Sequence, residues 1–550
     1  MMFVARCGRP MRSLVPLLVV AAGAGRLAAQ GIDQQARTRS GVVAAAHPLA
    51  AMAGRRMLDE GGNAADAATA AAFAVAVVLP EMNSIGGRNQ ILVRHADGTV
   101  SGIDGTTQVP RDYDPATAPK ADHGYATVGI PGVVAGLMRL HKEHGSLSLA
   151  VVMAPAIEYA ERGFRMLPGQ ERNHERVAED LAETDGARRS FIRPEGGTYR
   201  AGDLLVQRDL AKTLRRIAAD GGESFYRGDL ARTMAADIQG NGGFVTRRDL
   251  ADYRAETSRV VRGTYRGYDL VGLDVPAAGA VTIQALQIME RFDRASMSAP
   301  GWAAVTAQAI RIASGELGGL GSDSAALRAT SKDWARRMAE TVRLPGMGPA
   351  AATAGGDRPD EEGHFTTHIV VADSAGMLVS LTQTVGPIMG SRVATKGLGV
   401  HYAATLGGYL SSIEAGARAR SFVSPFLVLK DGEPFLVVGA AGGSRIPAAI
   451  VQVISRVIDD GMDVAEAMAA PRVFMPSDTL IEMETSAPGW RPAAVEAVRG
   501  FGFRVRAVPA PGSFARAQVL RFRKDAGEWE AVSEPDDEGM ALGAVRRAPR

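Results

Sequence analysis

The chain has 550 residues, a formal charge of +2 from 62 basic and 60 acidic side chains, and a hydrophobic fraction of 46%. Its length predicts two domains or one large α/β unit, and its composition is that of a globular protein with a sizeable core. The charge balance argues against a protein that binds nucleic acid by neutralising phosphates, and an aromatic content of 5% argues against base stacking.

The first residues have the pattern of a secretory signal peptide. Basic residues precede an apolar run at 14–25, and Leu27, Ala28 and Ala29 form a small-residue cleavage site before Gln30. The run is too short to span a bilayer comfortably, and no other stretch approaches about 18 uninterrupted apolar residues. We expect a signal peptide at 1–29, with Met1 or Met11 as the start. We also expect an exported protein, periplasmic or secreted, without a membrane partner after removal of the signal.

The single cysteine, Cys7, precedes the apolar run. The mature chain would therefore contain no cysteine, which excludes disulfides, a cysteine nucleophile and thiolate-bound metal. The sequence contains no G-x-S-x-G, no H-E-x-x-H and no Walker loop, and its nine histidines are scattered. These absences give a serine hydrolase or a metallohydrolase little support.

Helical patterns dominate the first two thirds of the chain. The run EGGNAADAATAAAFAVAVVLP predicts a helix that is apolar on all sides and therefore buried, followed by a Gly-Gly turn into a strand. Residues 125–225 are predicted to be mostly helical, and 259–290 to form a strand and then a helix. Residues 341–365 combine turn formers, small residues and acids without periodicity, which predicts a flexible linker.

The linker ends at EEGHFTTHIVVAD, which is followed by a region of predicted strands. Two adjacent threonines, Thr366 and Thr367, stand where the strand pattern begins. A threonine hydroxyl is a poor nucleophile by itself. At a chain terminus, however, it gains its own α-amine, with a pKa of about 7.7–8, as a nearby base. This stretch alone leaves two readings open: an ordinary strand start, or a site where cleavage releases a threonine nucleophile.

Three later segments favour the second reading. SLTQTVGPIMGSRV carries Thr382 and Thr384 on a predicted strand, and RSFVSPFLVL carries Ser421. VVGAAGGSRIP carries Gly442 and Gly443, whose backbone N–H groups can point into a pocket without side-chain obstruction. Such a turn suits an oxyanion hole for acyl transfer.

Together and in this order, the motifs resemble the gamma-glutamyltransferase (gamma-glutamyltranspeptidase) family of N-terminal-nucleophile hydrolases. The resemblance covers nearly all of the mature chain. Its motifs are GVVAAAHPLAAMAGRRMLDEGGNAADAATAAAFAVAVVLPE, GIPGVVAGL, VPAAGAVTIQALQIME, FTTHIVVADSAGMLVSLTQT and GAAGGSRI.

The resemblance implies an α+β fold, a four-layer αββα sandwich, built from a precursor that cuts itself between Phe365 and Thr366. Residues 30–365 would form a large subunit that stays bound to a small subunit, 366–550, as a heterodimer. Thr366 would be both the nucleophile and, through its amine, its own base. The enzyme would transfer or hydrolyse a gamma-glutamyl or related acyl amide, a small molecule such as glutathione, without a metal or other cofactor.

The resemblance also implies roles for residues around the nucleophile. Thr384 matches the threonine whose hydroxyl bonds the nucleophile. Gly442 and Gly443 match the oxyanion-hole pair, and Ser421 matches the first of two serines that hold the substrate carboxylate.

The sequence departs from the family pattern where the glutamyl group would bind. The arginine that clamps the α-carboxylate is replaced by Thr106, and an asparagine two residues after the second strand threonine is replaced by Gly386. In the run that holds the α-amine, here AATLGGY, Thr405 occupies the Gln/Glu position and Gly408 an aspartate position. Phe422 replaces the second serine. We retain Thr405 as a candidate substrate-binding residue.

Arg88 and Asn89 replace glycines of the family's Gly-rich turn. An arginine can bind a carboxylate bidentately from a new backbone position, so Arg88 is a candidate clamp. The lost amine-binding groups are harder to replace, because an ammonium group needs anions. The sequence therefore leaves three alternatives: a gamma-glutamyl enzyme, an acylase for amides without the α-amine (glutaryl- or oxamate-like), and a non-catalytic binding protein on the same fold.

Overall fold

The computed structural model describes residues 33–319, 326–328, 330–344, 365–410 and 413–545. The predicted signal peptide, residues 1–29, and residues 345–364 of the predicted linker lie outside the described residues. Within the described part, the chain has a mixed α and β fold dominated by two large sheets.

The strands follow one another along the chain. They are β1 Gln35–Thr38, β2 Val42–Ala45, β3 Arg88–Arg94, β4 Val100–Gly105, β5 Phe164–Arg165, β6 Leu204–Leu205, β7 Glu256–Thr257, β8 Val260–Tyr265, β9 Tyr268–Leu273, β10 Phe365–Ala372, β11 Leu378–Gly386, β12 Ala394–Thr395, β13 Val400–His401, β14 Phe426–Lys430, β15 Glu433–Ala441, β16 Val473–Ser477, β17 Leu480–Glu484, β18 Arg504–Val508, β19 Arg516–Arg523, β20 Glu528–Ser533 and β21 Met540–Gly543.

Two seven-stranded sheets contain most of these strands. The first has the order β1-β20-β19-β15-β14-β9-β8, and the second has the order β21-β2-β10-β11-β3-β4-β7. The pairs that surround β10 and β11 in the second sheet are antiparallel. Both sheets therefore combine strands from before and after residue 365.

The α-helices lie mainly outside the two sheets. They are α1 Pro48–Asp59, α2 Ala64–Val78, α3 Val133–His144, α4 Leu149–Arg162, α5 Pro168–Glu175, α6 Ala178–Glu183, α7 Asp185–Phe191, α8 Arg208–Asp220, α9 Glu223–Tyr226, α10 Asp229–Gly240, α11 Arg247–Asp252, α12 Gly279–Met289, α13 Ala299–Gly315, α14 Lys332–Ala339, α15 Ile446–Asp459, α16 Val464–Ala469 and α17 Pro492–Gly500. Across the described ranges, no helix combines the length and the apolar character needed to cross a bilayer.

Three large apolar cores lie where the helices pack on the sheets and where the two sheets pack on each other. One packs the helices of the N-terminal half against the second sheet. Another packs α12 to α16 against the first sheet. A third lies between the two sheets and contains side chains from both, among them Leu92, Val370 and Leu427.

Helix α2 confirms the prediction of a buried helix made from its all-round apolar pattern. All of its residues are buried, and its alanines permit the close approach of α1 and α4. Asn63 caps its first turn: its Oδ1 accepts from the Asp66 backbone N–H, and the Asp66 carboxylate accepts from the Asn63 backbone N–H, which completes a capping box. The helix covers the central strands of the second sheet.

The strands β10, β11 and β3 are buried on both faces, so their side chains alternate between two cores. Ile369 and Val371 belong to the core on the helix side, whereas Val370 and Ala372 belong to the core between the sheets. By this alternation Thr366 points to the face that meets the first sheet.

Candidate active site

Thr366 is the second residue of β10, and it is only 3% exposed. In the intact chain it follows Phe365, whose ring is also buried. Two guanidinium groups lie over the Phe365 ring, with the Cζ atoms of Arg176 and Arg516 6.0 and 5.9 Å from its centroid. The Phe365–Thr366 peptide is therefore fixed at the start of a central strand, as the pattern of this stretch predicted.

A chain of hydrogen bonds links the Thr366 side chain to the preceding carbonyl. Thr366 Oγ1 donates to Thr384 Oγ1 at 3.1 Å, and Thr384 Oγ1 donates to the Phe365 carbonyl oxygen at 2.6 Å. The Gly386 N–H donates to Thr384 Oγ1 at 2.9 Å and fixes that hydroxyl. The register of β10 and β11 places Thr366 opposite Thr384, which brings these groups together.

His368 belongs to the same face of β10 but is occupied elsewhere. Its Nδ1 lies 2.8 Å from Thr382 Oγ1 and its Nε2 lies 3.2 Å from Ser380 Oγ. Burial lowers the pKa of His368 to about 3, so the imidazole is neutral at physiological pH. The ring is held by hydroxyl groups of β11 in its own sheet, and it packs against Gly439 of β15 in the first sheet. It is not hydrogen-bonded to Thr366.

The Gly442-Gly443 turn connects β15 to α15. Gly442 has a φ of 142°, and a Cβ there would lie 2.6 Å from the Cβ of Ala515, so the turn requires a glycine. A short 3₁₀ turn at Gly443–Arg445 leads directly into α15. N–H groups at the start of a helix carry partial positive charge, which favours an anion near this turn.

A cavity of about 860 Å³ opens beside these groups. The described residues that line it include Thr366, Thr384, Arg88, Ser421, Gly443 and Ser444. The structure therefore brings together the predicted nucleophile, its threonine partner, one glycine of the predicted oxyanion pair and two of the predicted binding residues. Gly442 lies immediately before Gly443 but is not among the residues that line the cavity.

Ser421 and Arg88 both line the cavity with unsatisfied polar atoms. The Oγ of Ser421 is buried and has no hydrogen-bond partner. Arg88 is 3% exposed, and its Nε and Nη1 atoms also have no partner. Burial lowers the pKa of the Arg88 guanidinium, because a buried cation has lost its hydration. Both side chains retain donors for a ligand.

Thr405 does not have the position that a substrate-binding residue requires. It is fully buried, its Oγ1 donates to Thr107 Oγ1 at 3.0 Å, and it is absent from the residues that line the cavity. Its side chain packs closely on Gly129, since a Cβ built at Gly129 would lie 2.8 Å from the Cβ of Thr405. In the structure, this part of the chain turns the Thr405 side chain into the protein interior, away from the residues that line the cavity.

Two other positions that depart from the family pattern also face away from the cavity. Thr106 is buried and accepts a hydrogen bond from Gln90 Nε2 at 2.8 Å. Asn89 donates to the Val133 carbonyl oxygen at 3.2 Å, on the helix side of β3. Of the neighbouring Arg88 and Asn89, only the arginine lines the cavity.

Sequence reasoning missed several residues that line the cavity. They are Tyr409, Glu414, Arg418 and Arg420, from the segment between β13 and β14. Tyr409 had a signal in the sequence, because it ends the run AATLGGY at the position where the family pattern has phenylalanine. The others lie in a region without periodicity and gave no such signal.

One group of side chains in the described ranges has ligand atoms close enough together to hold a metal ion. It consists of His123, Asp180 and Glu183. The Nε2 of His123 lies 3.9 Å from an Asp180 oxygen and 3.6 Å from a Glu183 oxygen. None of the three lines the cavity beside Thr366.

Comparison with known proteins identifies the family. The family model described as gamma-glutamyltranspeptidase matches residues 50–544. The chain is 29% identical to the glutathione hydrolase proenzyme of Escherichia coli (strain K12), over 91% of each chain. It is 32% identical to the acylase ACY 1 proenzyme of Pseudomonas sp. (strain SE83), over 90% of this chain and 93% of the relative.

Solved structures agree with this assignment. The cephalosporin acylase from Bacillus halodurans is similar with a TM-score of 0.85 and 27% identity, covering 94% of this chain and 97% of that one. The gamma-glutamyltranspeptidase of Helicobacter pylori is similar with a TM-score of 0.53 and 31% identity, covering 55% of this chain and 92% of that one. The chain belongs to the gamma-glutamyltranspeptidase family.

Proposed function

We propose that this protein cuts itself between Phe365 and Thr366 and then uses Thr366 to hydrolyse or transfer an acyl group from a small amide. The hydrogen-bonded chain from Thr366 through Thr384 to the Phe365 carbonyl oxygen carries this proposal. The nucleophile, Thr366 Oγ1, and the carbonyl group of Phe365 belong to adjacent residues, and the Thr384 hydroxyl is hydrogen-bonded to both.

In the self-cleavage step, Thr366 Oγ attacks the Phe365 carbonyl carbon. Thr384 donates a hydrogen bond to the carbonyl oxygen and so stabilises the charge that develops there. The C–N bond breaks, the nitrogen takes the proton lost by the hydroxyl, and an ester remains. Water hydrolyses the ester, which leaves a carboxylate on Phe365 and a free α-amine on Thr366.

In the turnover step, the freed amine of Thr366 acts as the base for its own hydroxyl. The hydroxyl attacks the amide carbon of the substrate, and the leaving amine takes the proton. The backbone N–H groups of Gly442 and Gly443 hold the oxyanion, supported by the start of α15. Water or an acceptor amine then releases the acyl group from the ester.

The proposal includes a heterodimer of residues 30–365 and 366–550 in a four-layer αββα sandwich. The shared sheets support it. In the second sheet, β10 is hydrogen-bonded to β2 on one side and β11 is hydrogen-bonded to β3 on the other. In the first sheet, β14 is hydrogen-bonded to β9. Cutting one peptide bond leaves these ladders intact, so the pieces remain associated.

Export is also part of the proposal. The basic residues, the apolar run at 14–25 and the small-residue site at 27–29 support removal of a signal peptide and a periplasmic or secreted location.

The acyl group is proposed to carry a carboxylate, bound by Arg88 and Ser421. A gamma-glutamyl group satisfies this requirement. So does a related acyl group without the α-amine, as an acylase would use. The second candidate is favoured by the loss of the amine-binding groups at Thr405 and Gly408, and by the similarity to proteins named acylase. Glu414, on the exposed part of the lining, is the carboxylate that the described lining offers to an α-amine.

The test compares a γ-glutamyl anilide with a glutaryl anilide, which lacks the α-amine, on processed protein and on its Thr366→Ala variant. We expect chromophore release by the wild type and none by the variant. Release from only the γ-glutamyl compound would establish the gamma-glutamyl candidate, and release from only the glutaryl compound would establish the acylase. Equal release by Thr366→Ala would refute the role of Thr366.

A further inference from the structure

The row of side chains beside the nucleophile extends across three strands. Thr366 on β10 is paired with Thr384 on β11, and Thr384 is paired with Arg88 on β3. Directly paired residues point to the same face of a sheet, so all three point toward the first sheet and into the cavity. Arg88 is thus fixed to the nucleophile by the register of the second sheet.

Arg88 carries a buried charge that no carboxylate neutralises among the described residues. Its Nε and Nη1 atoms have no hydrogen-bond partner, although the residue is only 3% exposed. Burying an unpaired cation is costly, and the cost is recovered when a carboxylate binds through charge-assisted hydrogen bonds. An arginine in this state is suited to receive an anionic ligand.

Tyr409 is the neighbour that orients this guanidinium. Its hydroxyl is a hydrogen-bond partner of Arg88, and the guanidinium carbon lies 5.9 Å from the centroid of its ring. The ring rests on Gly386, two residues after Thr384, where a Cβ would lie 2.9 Å from Tyr409 Cε1. The backbone of β11 therefore holds Tyr409, and Tyr409 holds one side of the guanidinium.

We propose that Tyr409 is a positioning residue that fixes Arg88 as the receptor for a carboxylate at the far end of the acyl group. This inference rests on the proposed function and deepens it. Tyr409 acts only through Arg88, whose remaining N–H groups bind the carboxylate. Specificity for the anionic acyl group thus comes from β3 and the segment after β13, and the Thr106 hydroxyl plays no part in it.

The register also limits the length of the acyl group. Neighbouring strands are about 4.8 Å apart, so the backbones of Thr366 and Arg88 are separated by about 10 Å. The arginine side chain spans part of this distance. An acyl chain of about four to six carbons, with its carboxylate roughly 4–7 Å from the reacting carbonyl carbon, fits the remainder. Succinyl, glutaryl and adipyl groups lie in this range.

The test measures kcat/KM for glutaryl p-nitroanilide and for its neutral amide analogue, glutaramoyl p-nitroanilide, on processed full-length protein. The variants are Tyr409→Phe, Arg88→Gln and the double variant. We expect Arg88→Gln to lower the ratio of glutaryl to glutaramoyl kcat/KM by roughly 30-fold or more, mainly through KM. Tyr409→Phe should lower the same ratio by about tenfold. The double variant should match Arg88→Gln, because Tyr409 acts through Arg88.

Tyr268→Phe is the matched control, since Tyr268 also lies beside a cation, Lys430 Nζ at 4.5 Å from its ring centroid, but does not line the cavity. It should leave the ratio unchanged. An unaltered ratio in Tyr409→Phe, or additive losses in the double variant, would overturn the inference while the proposed function stands. A wild type that cuts itself but prefers the neutral anilide would overturn the inference as well. Activity that survives Thr366→Ala would refute the proposed function itself.

Discussion

The Thr384 hydroxyl makes three hydrogen bonds beside the nucleophile. It accepts from Thr366 Oγ1 and from the Gly386 N–H, and it donates to the Phe365 carbonyl oxygen. Thr384→Val keeps the shape and removes these hydrogen bonds. We expect Thr384→Val to slow self-cleavage, and its processed fraction to lose about 100-fold or more in kcat with little change in KM, because the lost interactions are with the reacting groups of both steps.

Thr384→Ser is the control for this prediction, since it retains the hydroxyl and loses only the methyl group. It should keep most of the activity in the same anilide assay. Equal losses in the valine and serine variants would show that packing of the methyl group, rather than the hydroxyl, accounts for the effect.

Single residues also show how far the sequence could predict the site. The positions of Thr366 and Thr384 follow from motifs, and the strand register brings their hydroxyls together. Thr405 could not be placed correctly, because the direction of a side chain in an irregular loop depends on tertiary contacts. Arg88 was a candidate from the sequence, but its contact with Tyr409 could be seen only in the fold, since the two residues are more than 300 positions apart along the chain.

At the scale of elements, the two sheets are in close contact where β10 crosses β15. A Cβ at Gly439 of β15 would lie 2.2 Å from the His368 ring of β10. We expect Gly439→Ala to lower stability by about 1–3 kcal/mol, because either the ring or a strand must move in a packed interior. Displacement of β10 would also lower activity. Thermal unfolding and the anilide assay measure the two effects.

Gly240→Ala provides a comparison, because a Cβ at Gly240 meets nothing within 4 Å. It should leave both the melting temperature and the activity nearly unchanged. A Gly439→Ala variant as stable and as active as the wild type would contradict the tight contact between the sheets.

The elements themselves were largely predictable, and the reason is periodicity. The apolar pattern of α2 predicted a buried helix, and the runs after residue 366 predicted strands that appear as β10, β11, β14 and β15. Their order in the sheets was not predictable from local pattern. Pairing of β11 with β3 joins residues nearly 300 positions apart, and local sequence contains no signal for such a contact.

For the whole molecule, buried histidines make stability depend on pH. Burial lowers the pKa of His47 and His368 to about 3 and that of His401 to about 4. The unfolded chain binds protons at these histidines near pH 6.5 and the folded chain does not. Their contribution is therefore fully present above pH 6.5, and it is lost as the pH falls toward 4.

Two carboxyl groups, one buried and one partly buried, act in the opposite direction. Burial raises the pKa of Glu534 and Glu538 to about 7, so their contribution to stability is present below about pH 4.5 and is lost as the pH rises through 7.

A variant of His368 isolates the contribution of one buried histidine from that of the carboxyl groups. Between pH 6.5 and 4, His368→Gln should lose stability less steeply than the wild type, by about 1.4 kcal/mol per pH unit at most.

Thermal unfolding of both proteins over this pH range measures the difference, with His123→Gln at a partly exposed position as the control. Parallel pH profiles for wild type and His368→Gln would show that His368 titrates in the folded protein much as it does in the unfolded chain.

Self-cleavage between Phe365 and Thr366 is the claim on which the rest depends, and intact-mass spectrometry of the purified protein tests it most directly. Full-length wild type and Thr366→Ala would be incubated side by side and followed over time. We expect the wild type to separate into two pieces, the smaller one beginning at Thr366, while Thr366→Ala remains one chain. A wild type that stays intact, a cut at another bond, or cleavage of Thr366→Ala at the same rate would contradict it.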